Sequence, residues 1–313
     1  MSGRIALVDS PMDPVLQTWR IPCFPRPDAI GNKQHLLTID DLTIEEISAL
    51  VAAGQDDTPR FAHRPASVVV DIANDLPHMR RAIEAALGRV GVSCIFADWP
   101  ALWTNRVGRL GEALQPAVGA AFIGVADHSL IERYASRAGV PIINAGDSRH
   151  RPLQVLADLR VVHSLLGSLR GREMTYVGQP GPWLISWIEA ASRAGMDLHV
   201  MIPDPKVAQG SELRQSIEIA SFFSTRLEVT RPYDQISAST EFVVGDPLPP
   251  PVEMCPRNAV RFPADLHVDG AASSPTDGPR TLLFERVEAL SQVAQWVLVQ
   301  WLSMGKDGSV AGP

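Results

Sequence analysis

The sequence predicts an α/β protein of two doubly wound parallel-sheet domains, joined by a linker helix and completed by a C-terminal return helix. Three observations predict it. Short β-branched runs such as SVVVDIA (Ser67–Ala73) read as strands buried on both faces. Each run is followed, after a turn, by a longer stretch of helical period. The alternation also runs twice, before and after a helix at Pro152–Leu166, which puts the boundary between the domains near residue 151.

The elements follow in chain order. Residues 1–34 carry five prolines and no sustained period, so an irregular arm is expected. In HLLTIDDLTIEEISALVAAG, Thr43 and Glu46 form a capping box ahead of a stripe of Ile44, Ile47, Leu50 and Val51. Next comes NDLPHMRRAIEAALGRVG, a helix capped by Asn74 or Asp75 with Pro77 in its first turn. Strands at Ser93–Phe96, Ala120–Val125 and Val140–Asn144 alternate with helices at Arg109–Gln115 and Ser129–Ala138. The second domain, 152–286, has strands at Glu173–Val177, Asp197–Ile202, Arg226–Val229 and Ala259–Phe262. Its helices are Trp183–Ala194 and Glu212–Phe223. A Pro-rich connector, DPLPPPVEMCP, precedes the last strand. The return helix, 287–304, completes the first domain, 35–151, and 305–313 is a flexible tail. The Glu285, Arg286 and Glu288 cluster reads as a solvated helix start.

Composition excludes several classes. With 45% apolar and 20% charged residues over 313 positions, the chain is long enough for about two domains and can bury a sizeable core. A net charge of -7 and no dense Lys/Arg tract argue against a nucleic-acid partner. Three scattered cysteines lack any ligand spacing, so neither disulfides nor a metal site is expected, and the thiols read as reduced. No leader and no run of 18 apolar residues is present, so a cytoplasmic protein without membrane spans is expected. The fragment Gly178–Gly181 is a weak dinucleotide-loop match, spoiled by Pro180 and Pro182, and no G-x-S-x-G elbow or P-loop occurs. No cofactor is expected.

The order of segments HLLTIDDLT, VPIINAGDSRHRPLQVLADL, LRGREMTYVG, AGMDLHVMIPD and DGPRTLLFERVEALSQVAQWVLVQWL resembles the aspartate/ornithine carbamoyltransferase family. The likeness spans roughly 35–304, with a shortened stretch around Thr225 to Pro256. It implies a carbamoyltransferase-like fold and a homotrimer, with a loop near Trp99–Arg109 reaching a neighbour through Trp103, Arg106 or Arg109. The catalytic motifs, however, are replaced. The S-T-R-T-R phosphate motif falls on Leu76, Pro77, His78, Met79 and Arg80. A second arginine falls on Gly124, and H-P-T-Q falls on Arg151, Pro152, Leu153 and Gln154. H-C-L-P falls on Val260–Pro263 and a late arginine on Leu290. A phosphate dianion gains about 1.5–3 kcal/mol from each charge-assisted bond, so losing most of them is expected to weaken ordinary carbamoyl phosphate binding by many orders of magnitude.

New polar residues stand at the same positions. His78, His150 and Arg151 are the candidate catalytic residues. Asn74, Asp75, Arg80, Gln154, Arg261, Asp265 and Trp183 are the candidate binding residues for a small amino acid or related carboxylate. Each has a structural alternative: Asn74 and Asp75 as helix caps, His78 as a solvated first-turn residue, Trp183 and Trp187 as packing. Three functions remain open at this point. They are a repurposed transferase-like enzyme, an inactive pseudoenzyme paired with an active paralogue, and a carbamoyltransferase with relocated donor contacts.

Overall fold

The computed structural model describes residues 17–19, 35–53, 67–72, 76–96, 118–204, 211–231, 236–246, 252–263 and 283–303. Two sheets carry the chain. The first has the strands β2 (Ser67–Ile72), β3 (Ser93–Phe96), β4 (Val118–Gly124) and β5 (Ile142–Asn144) in the order β3-β2-β4-β5. All its pairs are parallel. The second has β6 (Glu173–Gly178), β7 (Asp197–Met201), β8 (Leu227–Thr230), β9 (Phe242–Asp246) and β10 (Val260–Pro263). Their order is β8-β7-β6-β9-β10, again parallel throughout.

Three expectations change here. Gln17–Trp19, inside the arm expected to be irregular, forms β1 and pairs antiparallel with β8 at the sheet edge. Phe242–Asp246, read as part of a shortened connecting stretch, is a central strand between β6 and β10. Its Phe242, Val243 and Val244 are fully buried, and burial on both faces is what a parallel strand demands. The second-domain helix expected to reach Phe223 stops at Ala220.

Seven helices are described: α1 (Ile44–Ala52), α2 (Pro77–Val90), α3 (His128–Ala135), α4 (Pro152–Leu166), α5 (Pro182–Ala194), α6 (Ser211–Ala220) and α7 (Leu283–Ser303). The capping box expected at Thr43 is present, with Thr43 Oγ1 accepting from Glu46 N–H and Glu46 accepting from Thr43 N–H. At α2 the cap is Leu76, with no side-chain cap hydrogen bond, and not Asn74 or Asp75, which lie outside the described residues. Proline explains the correction. Pro77 fixes the first helical φ, so the residue just before it takes the cap position.

One core runs through both sheets, from Val68, Val70 and Phe122 to Tyr176, Phe242 and Phe262. Helix α4 is its spine: of its residues only Arg160 and the last turn reach solvent appreciably. Helix α7 packs along α4 and α2, and α1 packs on α4 and α5. Arg286 on α7 was expected in solvent but is completely buried. Its guanidinium donates to both oxygens of Asp158 at 2.7 and 2.9 Å and to the Pro263 carbonyl at 2.7 Å. The reason is helical period: Arg286 lies on the same stripe as Leu290, Val293 and Val297, all buried.

Candidate active site

In doubly wound sheets, ligands bind beyond the carboxyl ends of the strands, where the strand order reverses. The first sheet reverses between β2 and β4, and the second between β6 and β9. Helix α2 follows β2 and helix α5 follows β6, so each begins at one of the two reversals. Between them lies the loop from Ala145 to Arg151 and the start of α4.

The three helix starts share a construction. Each has proline at its first position, after Leu76, Arg151 and Gly181 respectively, and none has a side-chain cap. The backbone N–H groups of the next residues are left without intrahelical partners, and the helix dipole adds partial positive charge there. Arg151 links the three. Its backbone N–H donates to Ser186 Oγ on α5 at 2.8 Å, and its guanidinium lies 5.7 Å from the Trp183 ring. Gly146 has φ of 133°, and a Cβ built there would sit 2.5 Å from Arg151 Nη1 and 3.3 Å from Leu76 Cδ1. Only glycine lets the arginine lie across the loop toward α2.

The remaining predicted residues scatter. His78 is half-buried in the first turn of α2. Arg80 turns away to the sheet edge, with its guanidinium 4.1 Å above the Phe96 ring. Gln154 is fully buried and donates to Asp158 Oδ1 at 3.1 Å, joining the Arg286 pair. On β10, Val260 and Phe262 face the main core. Arg261 alternates to the other face, level with Val243 and close enough for its charge to act on Cys255. Trp183 is 8% exposed against Arg151, whereas Trp187 is fully buried against Phe242. Asn74, Asp75, Asp265 and the 99–109 loop lie outside the described residues.

Several of the positions where the family likeness places polar motif residues carry packed apolar groups. Leu153 and Leu290 are fully buried and Leu76 nearly so. Gly124 is closed in: a Cβ there would meet Ile72 Cγ2 at 3.3 Å and Ala145 Cβ at 3.5 Å.

His150 points into a buried network that the sequence reading missed. Its Nε2 stands 3.4 Å from Glu189 Oε1 on α5 and its Nδ1 4.0 Å from Asp147 Oδ1. His128, at the start of α3, shares a 2.6 Å hydrogen bond through Nδ1 with Asp147 Oδ2. Asp147 also accepts from Asn144 Nδ2 and from the N–H groups of Arg149 and His150. Burial alone raises its pKa, but the His128 hydrogen bond and charge and those two N–H groups outweigh it and lower the net value. Burial disfavours the imidazolium of His150, yet the Glu189 hydrogen bond and the Glu189, Asp147 and Asp40 charges raise its pKa overall. Farther along α5, Arg193 pairs with Asp40 at 2.5 Å. Burial, then the Glu189 charge, pushes Asp40 up to about 7 in spite of Arg193. No sequence spacing signals this cluster. His128 and Asp147 are nineteen positions apart and meet because β4 and β5 are neighbours.

No protein-family model matches the chain. Ornithine carbamoyltransferase from Bacillus subtilis (strain 168) is 28% identical over 178 residues, covering 54% of this chain and 55% of that protein. The Halorhodospira halophila enzyme of the same name is 27% identical over 182 residues, covering 54% and 60%. The chain thus spans little more than half the length of these curated relatives. Solved structures of ornithine carbamoyltransferase from Gloeobacter violaceus and Thermus thermophilus superimpose with TM-scores of 0.71 each, at 19% and 21% identity. They cover 86% of this chain and 98% and 99% of theirs. The fold is therefore the same over nearly the whole of those chains.

Proposed function

We infer that this chain, which belongs to the carbamoyltransferase superfamily, uses its cleft to hold a small amino-acid-like carboxylate as a transferase-like enzyme without an ordinary carbamoyl phosphate site. One observation carries the reading: the Arg151 guanidinium, at the uncapped start of α4, lies beside the side chains of Leu76 and Trp183 from the uncapped starts of α2 and α5. Helix N-termini and an arginine together favour an anion, and an arginine's planar fork suits a carboxylate. Trp183 beside it offers an apolar surface for the rest of the ligand. The curated relatives are named for transfer of a carbamoyl group to ornithine, an amino acid, which fits a ligand with an amino group and a carboxylate. A soluble cytoplasmic trimer is part of the same proposal, with the 99–109 loop serving a neighbour.

A second reading has its own support. Leu76, Leu153 and Leu290 stand at motif positions where a polar ligand would need polar partners, as expected of an inactive subunit working beside an active paralogue. Calorimetry separates the two, using ornithine, aspartate and a wider amino-acid panel with and without carbamoyl phosphate, alongside product detection by mass spectrometry. An amino acid that binds the wild type and weakens at least tenfold in Arg151→Ala supports the cleft reading. Ligand affinities unchanged by Arg151→Ala sink it. Carbamoylated product with saturable carbamoyl phosphate binding would instead establish an ordinary carbamoyltransferase with relocated donor contacts.

A further inference from the structure

We propose that His128, Asp147 and His150 form a binding site for a divalent transition cation of the zinc class, whatever the Arg151 cleft itself holds. One donor atom from each lies within 4.8 Å of the others, and His128 and Asp147 are buried to 5% and 1% exposure. Tetrahedral zinc, with bonds of about 2.0–2.2 Å to nitrogen and oxygen, sets its donors roughly 3.4 Å apart. The movement needed is therefore about an ångström at side-chain ends.

Each residue is prepared differently. His150 Nδ1 is buried and has no hydrogen-bond partner among the described residues, while its Nε2 faces Glu189 Oε1 at 3.4 Å. A metal-bound imidazole divides its nitrogens in the same way, one toward the ion and the other toward an orienting carboxylate. His128 Nδ1 and Asp147 Oδ2 are held together by a proton at 2.6 Å. The cation replaces that proton, and the two atoms part to ligand spacing as the proton leaves to solvent. Asp147 stays aimed throughout, because Asn144 Nδ2 and the N–H groups of Arg149 and His150 hold its carboxylate. The two rings, 4.6 Å apart and tilted by 51°, converge on a common point without stacking. A hydrogen-bonded core alone accounts for the His128–Asp147 contact; it leaves the Nδ1 of His150 without a role.

Two imidazoles and one carboxylate suit zinc, cobalt, nickel or ferrous iron, and they leave at least one coordination position for water or an anion. Calcium and magnesium, which take oxygen ligands, are disfavoured.

The test uses the full-length protein, stripped with chelator and titrated with Zn²⁺, with binding read by equilibrium dialysis and elemental analysis. We expect one equivalent per chain and a rise in Tm reversed by chelator. Affinity falls at least tenfold in both His128→Gln and His150→Gln and is unchanged in His163→Gln, a control at the far end of α4. Less than half an equivalent on the wild type, or equal affinity in all variants, overturns the site. Should either glutamine variant fail to fold, X-ray absorption at the zinc edge of the wild-type complex decides the matter. Two imidazole ligands support the proposal, and one or none refutes it.

Discussion

Two arginine–carboxylate pairs sit two residues apart on helix α7, alike in chemistry and opposite in setting. Arg286 grips both oxygens of Asp158 with side chains wholly excluded from solvent. Arg89 grips both oxygens of Glu288 at 2.9 and 2.8 Å with the two side chains 42% and 47% exposed. Arg286 uses two nitrogens, Nε and Nη2, one on each oxygen, whereas Arg89 reaches both oxygens with Nη2 alone, so the pairs differ in geometry as well as in exposure. The buried pair also joins three regions, because Arg286 donates to the Pro263 carbonyl at the end of β10 and Asp158 sits in the middle of α4. Both ions gave up their hydration to be there, and each now depends on the other. The surface pair never gave up hydration, and either member can return to water.

The largest effect tests that dependence. Arg286→Met leaves Asp158 buried and uncompensated, and urea denaturation should report a loss of about 3–5 kcal/mol. The double variant Arg286→Met with Asp158→Leu removes both charges, and most of that loss should return. A double variant as unstable as the single one would mean that the pair contributes shape and not charge compensation. Burial raises the pKa of Asp158 first and Arg286 pulls it back, which is the same contest seen from the carboxylate.

Asp147 gives the next effect. It also is buried, but its partners are one imidazole, one amide and two backbone N–H groups and not a guanidinium. Asp147→Asn puts an NH₂ where donors already point, and the loss should be about 1.5–3 kcal/mol, the range of hydrogen bonds to a charged group. Thermal and chemical denaturation in chelator measures it. An unchanged stability would show that the loop 145–151 is held by the chain around it and not by this carboxylate.

These two sites also mark what the sequence reveals. The alternation at Ser67–Ile72, Glu173–Gly178 and the helix from Pro152 reads directly, because strand burial and helical period are local properties. Phe242–Asp246 was missed although FVVG is a strand-like run, because the prolines after it suggested a connector. Arg286 was misplaced because its neighbours Glu285 and Glu288 suggested solvent. The stripe shared with Leu290, Val293 and Val297 was the better guide. Arg151 was named from the family's motif and Trp183 from its place after a strand. His128, Asp147 and Glu189 were not, since they come from three elements that only the fold brings together. Arg80 and Gln154 were named from the family's motif positions, and a backbone position does not say which way a side chain turns.

Asp40 supplies a smaller effect with a definite sign. Its folded pKa is raised from 3.8 to about 7 by burial and by Glu189, with Asp41 adding to the rise and Arg193 and His150 opposing it. The native state therefore keeps a proton that the unfolded chain has released, so this group costs stability as pH climbs from about 4 through 7 and nothing further above that. Asn stays neutral across the window. Relative to wild type, Asp40→Asn should gain on the order of 2 kcal/mol between pH 5 and pH 8, since the weakened Arg193 contact is the same at both pH values and only the wild-type carboxyl titrates. Tm measured at both pH values in chelator tests it, and a variant that parallels wild type across that range rules it out.

The smallest effect returns to the exposed arginine. Glu288→Ala removes a carboxylate whose two oxygens both accept from Arg89 Nη2, and it should cost no more than about 0.5–1 kcal/mol. Arg89 loses little because water replaces the carboxylate, and Gln292, which donates to Glu288 Oε1 at 3.1 Å, is exposed to the same water. Part of even that small cost should fade in 1 M salt, where the screening length shrinks to about 3 Å. The buried pair should be nearly indifferent to the same salt, since ions do not reach it. A Glu288→Ala loss comparable to that of Arg286→Met would mean that exclusion from water is not what sets the strength of the two pairs.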